Sequence, residues 1–160
     1  MLIRTATVDD AKILAEAEAL CFLPAEAASE EQFRERLSHV ADHFWLGFED
    51  GRLVSFVDGM VTDEKDLRDE MYHDAAMHNP EGRWQMIFGV ATIPEFRRRG
   101  LAGELIQRCI ADAKAQGRAG VVLTCKDFRI PYYAKFGFKD EGLSSSTHGN
   151  VAWHQMRITF

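Results

Sequence analysis

Three consecutive arginines followed by a glycine form the segment of the chain with the clearest chemical potential, Arg97-Arg98-Arg99-Gly100-Leu101-Ala102. It lies between an apolar stretch typical of a strand, residues 84–93, and a stretch with helical spacing that begins at Gly100. A helix N-terminus is already positive, because its first N–H groups lack partners and the helix dipole adds to them. Three guanidinium groups there are unfavourable unless an anion lies among them. The pattern predicts a phosphate-binding loop; the alternative is a solvated charge run.

Length and composition indicate a single domain over residues 1–160, with 46% hydrophobic and 28% charged residues. The sequence has no apolar run of about 18 residues, which predicts that no segment spans a membrane. Its first residues lack the apolar region of a signal peptide, so we expect a cytoplasmic protein. The net charge of −6 argues against a nucleic-acid-binding face and makes the arginine run stand out.

Cysteine and histidine spacing predicts no metal site. The three cysteines, Cys21, Cys109 and Cys125, show no metal or redox spacing and are expected to be reduced thiols. The six histidines lack a His-x-x-x-His pair with a third ligand.

The elements that must position the arginine run follow from apolar periodicity and capping signals. Strands are predicted at residues 2–6, 43–49, 53–61, 84–93, 121–125, from 138, and at 151–158. Helices are predicted at residues 10–21, 29–39, 65–72, 100–116 and 128–136, with Thr7 or Asp9 capping the first and Ser29 opening the second through a capping box. This order predicts an α/β (α+β) fold with a mixed central sheet and a β-α-β crossover at its centre.

Two patterns in the chain resemble those of the GNAT superfamily of acyl-CoA-dependent N-acetyltransferases. The arginine run matches the pyrophosphate pattern Arg/Gln-x-x-Gly-x-Gly/Ala, and Tyr133-Ala134-Lys135-Phe136-Gly137-Phe138 matches the pattern Tyr-x-x-x-Gly-Phe. The resemblance covers nearly the whole chain. It implies the GNAT fold, with about six or seven strands flanked by about four helices, and a homodimer as a possible state.

Within the superfamily the chain is most similar to the arylalkylamine (serotonin) N-acetyltransferase branch and its bacterial relatives, through Cys21-Phe22, Glu95-Phe96-Arg97 and Pro131-Tyr132-Tyr133. One difference concerns the proton relay. The animal enzymes of that branch carry two histidines, two residues apart, on the strand before the phosphate loop. Met86 and Phe88 stand at the matching positions here. Neither side chain transfers protons, so these two residues count against that relay and against an indoleamine substrate.

The resemblance implies acetyl-CoA as co-substrate and assigns its site to two segments. The backbone of Val90, Ala91 and Thr92 would bind the pantetheine arm as an added strand does. The second segment would hold the phosphates through backbone amides or guanidinium groups. Its residues are Arg97, Arg98, Arg99, Gly100, Leu101, Ala102 and Gly103. Which arginine contacts which phosphate is left open.

Acetyl transfer to an amine needs an acid for the departing thiolate and a route for the proton of the amine. Tyr133 is the predicted acid, because a phenol with a pKa of about 10 is matched to a thiol of about 8.5. Glu26, in the segment between the first two helices, and His78, in the long polar loop, are alternative bases or acceptor-site residues. Water could also carry the proton.

Three functions are consistent with these residues. The first is acetyl-CoA-dependent N-acetylation of a small primary amine, an (aryl)alkylamine or a polyamine, by direct attack. The second is a degenerate module that binds acetyl-CoA as a sensor, motivated by the missing histidines. The third is N-acetylation of proteins or peptides. The small-molecule amine is the expected partner, and neither nucleic acid nor membrane is expected.

Overall fold

Apolar runs and capping residues produce a mixed sheet and five α-helices. The computed structural model of the chain describes residues 1–146, the backbone of His148 and residues 149–160. The strands are β1 (Leu2–Thr5), β2 (Phe44–Glu49), β3 (Arg52–Thr62), β4 (Trp84–Thr92), β5 (Gly120–Cys125), β6 (Lys139–Leu143) and β7 (His154–Thr159). Their order in the sheet is β1-β2-β3-β4-β5-β7-β6. The helices are α1 (Ala11–Cys21), α2 (Glu30–Val40), α3 (Glu70–His73), α4 (Leu101–Ala115) and α5 (Ile130–Ala134).

The predicted fold class is confirmed. β4 and β5 pair in parallel and are connected through α4, which is the expected β-α-β crossover. β1 with β2, β2 with β3, β5 with β7 and β6 with β7 pair antiparallel. Among the described residues, no helix is long and apolar enough to cross a membrane.

The chain divides into two compact units. The first comprises Met1–Gly59 and Gly89–Cys109, and the second comprises Met60–Phe88 and Ile110–Phe160. Each has buried apolar side chains of its own, for example Leu14, Phe33 and Trp45 in the first and Met71 and Met86 in the second.

Capping boxes fix the two N-terminal helices of the first unit. Thr7 and Asp10 form one at the 3₁₀ turn Val8–Asp10, which leads directly into α1, and Ser29 and Gln32 form the other at the start of α2, so the predicted caps Thr7 and Ser29 are confirmed. Phe33 of α2 meets Phe44 of β2 and Phe56 of β3 edge to face, with ring centroids 6.3 Å and 6.2 Å apart. This aromatic cluster packs α2 onto the β2–β3 hairpin.

The helix predicted over residues 65–72 is wrong in its first half, because only Glu70–His73 is α-helical. The backbone before it is bonded to side chains of β7 instead. The N–H of Leu67 donates to Gln155 Oε1 at 3.0 Å, and the carbonyl of Lys65 accepts from Arg157 Nη1 at 2.8 Å. In a helix over residues 65–72 the carbonyl of Lys65 would accept from the N–H of Asp69, so its bond to Arg157 occupies an acceptor that the helix needs.

Two other predicted boundaries differ from the structure in the second unit. The helix predicted over residues 128–136 is a 3₁₀ turn, Asp127–Arg129, followed by the short α5. The last strand begins at His154 rather than at Val151.

Candidate active site

The segment between β4 and α4 forms a loop with two left-handed residues. A 3₁₀ turn, Pro94–Phe96, follows the strand, and Arg98 and Gly100 then take φ angles of 64° and 76°. The first hydrogen bond of α4 runs from the N–H of Glu104 to the carbonyl of Gly100, at 3.2 Å. The N–H groups of Leu101, Ala102 and Gly103 precede it and have no acceptor within the helix.

The space in front of this loop is open. A Cβ built on Gly100 would meet no atom within 4 Å. Left-handed residues turn successive N–H groups toward one side, and a helix N-terminus adds its dipole there. The loop therefore fits a phosphate group, as the sequence predicted for Gly100, Leu101, Ala102 and Gly103.

The three arginines of the run have different partners. Arg97 Nε donates to the carbonyl of Thr92 at 2.9 Å. Arg99 Nη2 lies 3.4 Å from Glu49 Oε1, and its guanidinium lies 5.2 Å from the ring centre of Phe96. Arg98 is exposed and makes no hydrogen bond or ion pair with any described residue. Of the three, Arg98 is therefore the guanidinium available to an external anion, a distinction that the sequence left open.

The end of β4 directs some of its backbone groups away from β3. Ser55 Oγ of β3 donates to the carbonyl of Ala91 at 2.8 Å, and the N–H of Ile93 donates to Val54 at 2.9 Å. Since successive residues of a strand point their backbone groups to opposite sides, Val90 and Thr92 face the other way. The parallel ladder of β4 with β5 already ends at Ile87. This part of β4 fits the predicted binding of an extended arm.

A buried aspartate that the sequence analysis did not single out lies in the same unit. Asp58 of β3 is only 5% exposed, and its Oδ1 lies 2.5 Å from the position that a Cβ at Gly89 of β4 would take. Burial raises the pKa of Asp58 to about 7, with Arg36 of α2 acting to lower it and Glu18 of α1 acting to raise it further. The sequence signal was available, because Asp58 is the one charged residue between Leu53 and Val61.

Glu26, one of the two predicted bases, is also in the first unit. It is exposed in the α1–α2 connection, where its N–H donates to the carbonyl of Leu23 at 2.8 Å. The neighbouring Glu18 is half-buried and accepts from the N–H of Ala28 at 2.8 Å. Burial raises the pKa of Glu18, against the opposing effects of that N–H and of Arg36.

Tyr133, the predicted acid, lies on α5 in the second unit. Its ring packs edge to face on Tyr132 and Phe138, with centroids 5.1 Å and 6.1 Å away. Burial raises the pKa of Tyr133 to about 12, and Tyr132 and Cys125 add to that effect while Arg129 opposes it. The phenol is therefore protonated at neutral pH, which a proton donor requires.

His78, the other predicted base, is also in the second unit. Its Nδ1 accepts a hydrogen bond from the N–H of Val61 at 3.0 Å. An accepting Nδ1 has no proton, so this bond holds the neutral ring in the tautomer protonated at Nε2.

Met86 and Phe88, at the positions of the missing histidines, have packing roles in this unit. Met86 is fully buried, and the ring of Phe88 lies 4.6 Å from that of Tyr72.

Comparison with known proteins shows the family of this chain. The model of the acetyltransferase (GNAT) family matches residues 11–138. Serotonin N-acetyltransferase of Mesocricetus auratus is 31% identical over 113 residues, which are 70% of this chain and 53% of that protein. The chain thus spans about half the length of the curated relatives it matches.

Two solved structures are similar in fold. The loading GNATL domain of CurA from Lyngbya majuscula superposes with a TM-score of 0.81 at 14% identity, covering 99% of this chain and 96% of that one. The GphF GNAT-like decarboxylase, solved in complex with isobutyryl-CoA, gives a TM-score of 0.79 at 18% identity, with 99% of each chain covered. With a family model that matches most of its length, this chain belongs to the acetyltransferase (GNAT) family.

Proposed function

We propose that this protein transfers the acetyl group of acetyl-CoA to the nitrogen of a small primary amine. The observation that carries the proposal is the β4–α4 loop, in which left-handed Arg98 and Gly100 precede three helix N–H groups without intrahelical acceptors. Such a loop suits a pyrophosphate. The serotonin N-acetyltransferases among the relatives support an amine acceptor, and the isobutyryl-CoA bound to the GphF enzyme supports an acyl-CoA donor on this fold.

The pyrophosphate and the pantetheine arm of the donor have proposed partners in the first unit. The N–H groups of Leu101, Ala102 and Gly103 hold the pyrophosphate, and Arg98 adds a positive charge beside them. The outward backbone groups of Val90 and the N–H of Thr92, whose carbonyl already accepts from Arg97, bind the pantetheine arm as a neighbouring strand would.

The reaction forms a C–N bond and breaks a C–S bond. A neutral amine attacks the thioester carbonyl, the thiolate leaves, and the amine nitrogen loses one proton while the sulfur gains one. Tyr133 is the proposed donor of the proton to sulfur. Its pKa of about 12 keeps the phenol protonated over the whole neutral range and also makes it a weaker acid than an ordinary phenol.

The test measures thiol release from acetyl-CoA with a panel of alkylamines, arylalkylamines, polyamines and peptide N-termini. Turnover with small amines supports the proposal. Tight binding of acetyl-CoA without turnover on any acceptor would favour the sensor module, and turnover restricted to peptides would favour a protein N-acetyltransferase.

The role of Tyr133 is tested by Tyr133→Phe. We expect kcat to fall about 10²- to 10⁴-fold, the usual contribution of a positioned acid, while the Kd for coenzyme A changes little. Tyr132→Phe is the matched control, because it removes the adjacent phenol from the same helix. Wild-type kcat in Tyr133→Phe across neutral pH would contradict the assignment.

A further inference from the structure

We propose that the Asp58 carboxylate receives the proton that the acceptor ammonium loses before it attacks, and that Asp58 and Glu18 together select a cationic alkylamine. This inference rests on the proposed acetyl transfer and assigns the step for which no residue is established. It concerns the first unit alone.

The position of Asp58 on the sheet is the first argument. Its Oδ1 occupies the space above Gly89 of β4, where a Cβ would come within 2.5 Å of it. Gly89 directly precedes Val90 and lies three residues before Thr92, and backbone groups of these two residues are the proposed partners of the pantetheine arm. The carboxylate is thus within one residue of the strand segment along which the thioester would lie.

The second argument is that Asp58 is buried with no side-chain donor among the described residues. It is 5% exposed, and among the described residues only its own backbone N–H acts as a hydrogen-bond partner that lowers its pKa. Buried carboxylates in proteins are normally hydrogen-bonded or paired with a cation. An acceptor ammonium would supply three N–H donors and a positive charge.

The surrounding charges favour a cationic ligand. Glu18 of α1 and Arg36 of α2 are the charged side chains that act on Asp58, whereas β2 places Phe44 beside it and β4 places Gly89 there. Arg36 lies 5.6 Å above the ring of Phe33. Two carboxylates and one guanidinium leave a net negative charge when both acids are ionised, which complements an ammonium group.

The pKa of Asp58 also makes proton transfer from the ammonium easier. An alkylammonium with a pKa near 10 passes its proton to the Asp58 carboxylate, giving a neutral amine and a carboxylic acid. An ordinary aspartate is weaker as a base than such an amine by about six powers of ten, and Asp58, at a pKa of about 7, by only about three. Burial therefore removes about half of the difference in pKa between the amine and the carboxylate. Asp58 then returns the proton to water after the product leaves.

The experiment compares kcat/KM of wild type, Asp58→Asn and the control Asp50→Asn with an alkylamine between pH 6 and 10. We expect a 10²- to 10⁴-fold loss in Asp58→Asn at pH 7 and none in Asp50→Asn, which lies in the β2–β3 turn. The deficit should shrink as the pH approaches the pKa of the amine, since the neutral amine then forms in solution.

Two further measurements distinguish the loss of a proton acceptor from a structural effect of the substitution. An acceptor whose nitrogen is already neutral at pH 7, such as an arylhydrazine, should be acetylated by Asp58→Asn within about threefold of wild type. Glu18→Gln should move the rising limb of the wild-type pH profile to lower pH, and Arg36→Gln should move it to higher pH, because the two charges act on Asp58 in opposite directions. The Kd for coenzyme A should be unchanged in all variants.

The inference and the proposed function fail in different ways. If wild type acetylates alkylamines and Asp58→Asn keeps the wild-type rate, or loses the same factor with the arylhydrazine and at every pH, Asp58 is not the proton acceptor. If wild type acetylates no acceptor, the proposed function is wrong. Calorimetric titration with the alkylamine at pH 8, in the presence of coenzyme A, then decides for Asp58, since the ammonium should bind wild type at least tenfold more tightly than Asp58→Asn.

Discussion

Asp58 is the residue at which local sequence preference and structure disagree most. Central strands consist of apolar and β-branched residues, and β3 is buried along nearly its whole length, yet it carries a carboxyl group in its interior. Residues that break such a pattern are expected at functional sites, where the loss of stability is tolerated for chemistry.

The burial of Asp58 predicts a pH dependence of stability. Its pKa is about 7 in the folded protein and near the ordinary 3.8 in the unfolded chain, so between these values the folded state binds more protons. The free energy of unfolding of wild type relative to Asp58→Asn should therefore fall as pH rises from about 4 to about 7. The slope is at most about 1.4 kcal/mol per pH unit, and the difference is constant above that range.

Urea unfolding at half-unit pH intervals measures this difference, and Asp50→Asn serves as the exposed control. Parallel curves for wild type and Asp58→Asn from pH 4 to 8 would show that Asp58 titrates normally in the folded state.

At the residue scale, the sequence identified the arginine run but not the different partners of its three side chains. The carbonyl of Thr92 lies five positions from Arg97, whereas Glu49, the partner of Arg99, lies fifty positions away on another strand. Residue type alone predicts the same phosphate contact for all three arginines. The folded chain is needed to show that Arg98 is the one without a partner among the described residues.

At the element scale, the strand, loop and helix around the arginine run were predictable because their signals are local. A continuous apolar run, a glycine and a helical period stand next to one another in the sequence. The segment at residues 65–69 was not predictable in the same way. Its backbone bonds to Gln155 and Arg157, about ninety positions away, so tertiary contacts override the helical pattern.

The β4–α4 loop predicts a selective effect of Gly100→Ala. Left-handed backbone disfavours alanine by about 1 kcal/mol, and a Cβ there meets no protein atom, so stability should fall only by that amount. The Cβ would, however, enter the space proposed for the pyrophosphate. We expect the Kd for coenzyme A to rise at least tenfold by calorimetry.

Gly51→Ala is the matched control for that variant. Gly51 has a φ of 79° in the β2–β3 turn, and a Cβ there also meets nothing within 4 Å. Both variants should lose similar stability, and only Gly100→Ala should lose affinity. Equal affinities in the two variants would contradict the placement of the pyrophosphate at this loop.

At the scale of the whole molecule, none of the three thiols is suited to carry an acetyl group. Cys109 and Cys125 are buried, Cys21 is half-buried, and Cys125 Sγ donates to Met156 Sδ at 3.6 Å. Burial raises the pKa of Cys21 and raises that of Cys125 to about 11, where Asp140 adds to the effect and Arg129 opposes it. Since the thiolate is the nucleophile, these thiols are poorly reactive at neutral pH.

Direct attack by the amine, without an acetylated enzyme, is therefore the expected course. Acid-quenched protein that has been mixed with acetyl-CoA alone should show no added acetyl mass by intact mass spectrometry, and Cys125→Ala should keep its kcat within about twofold. Thiol titration in denaturant, which should count three reduced cysteines, is the control for prior modification. An acetyl group on Cys125, together with loss of turnover in Cys125→Ala, would instead require a two-step transfer, in which the proton acceptor for the amine acts only after the thiol has been acylated.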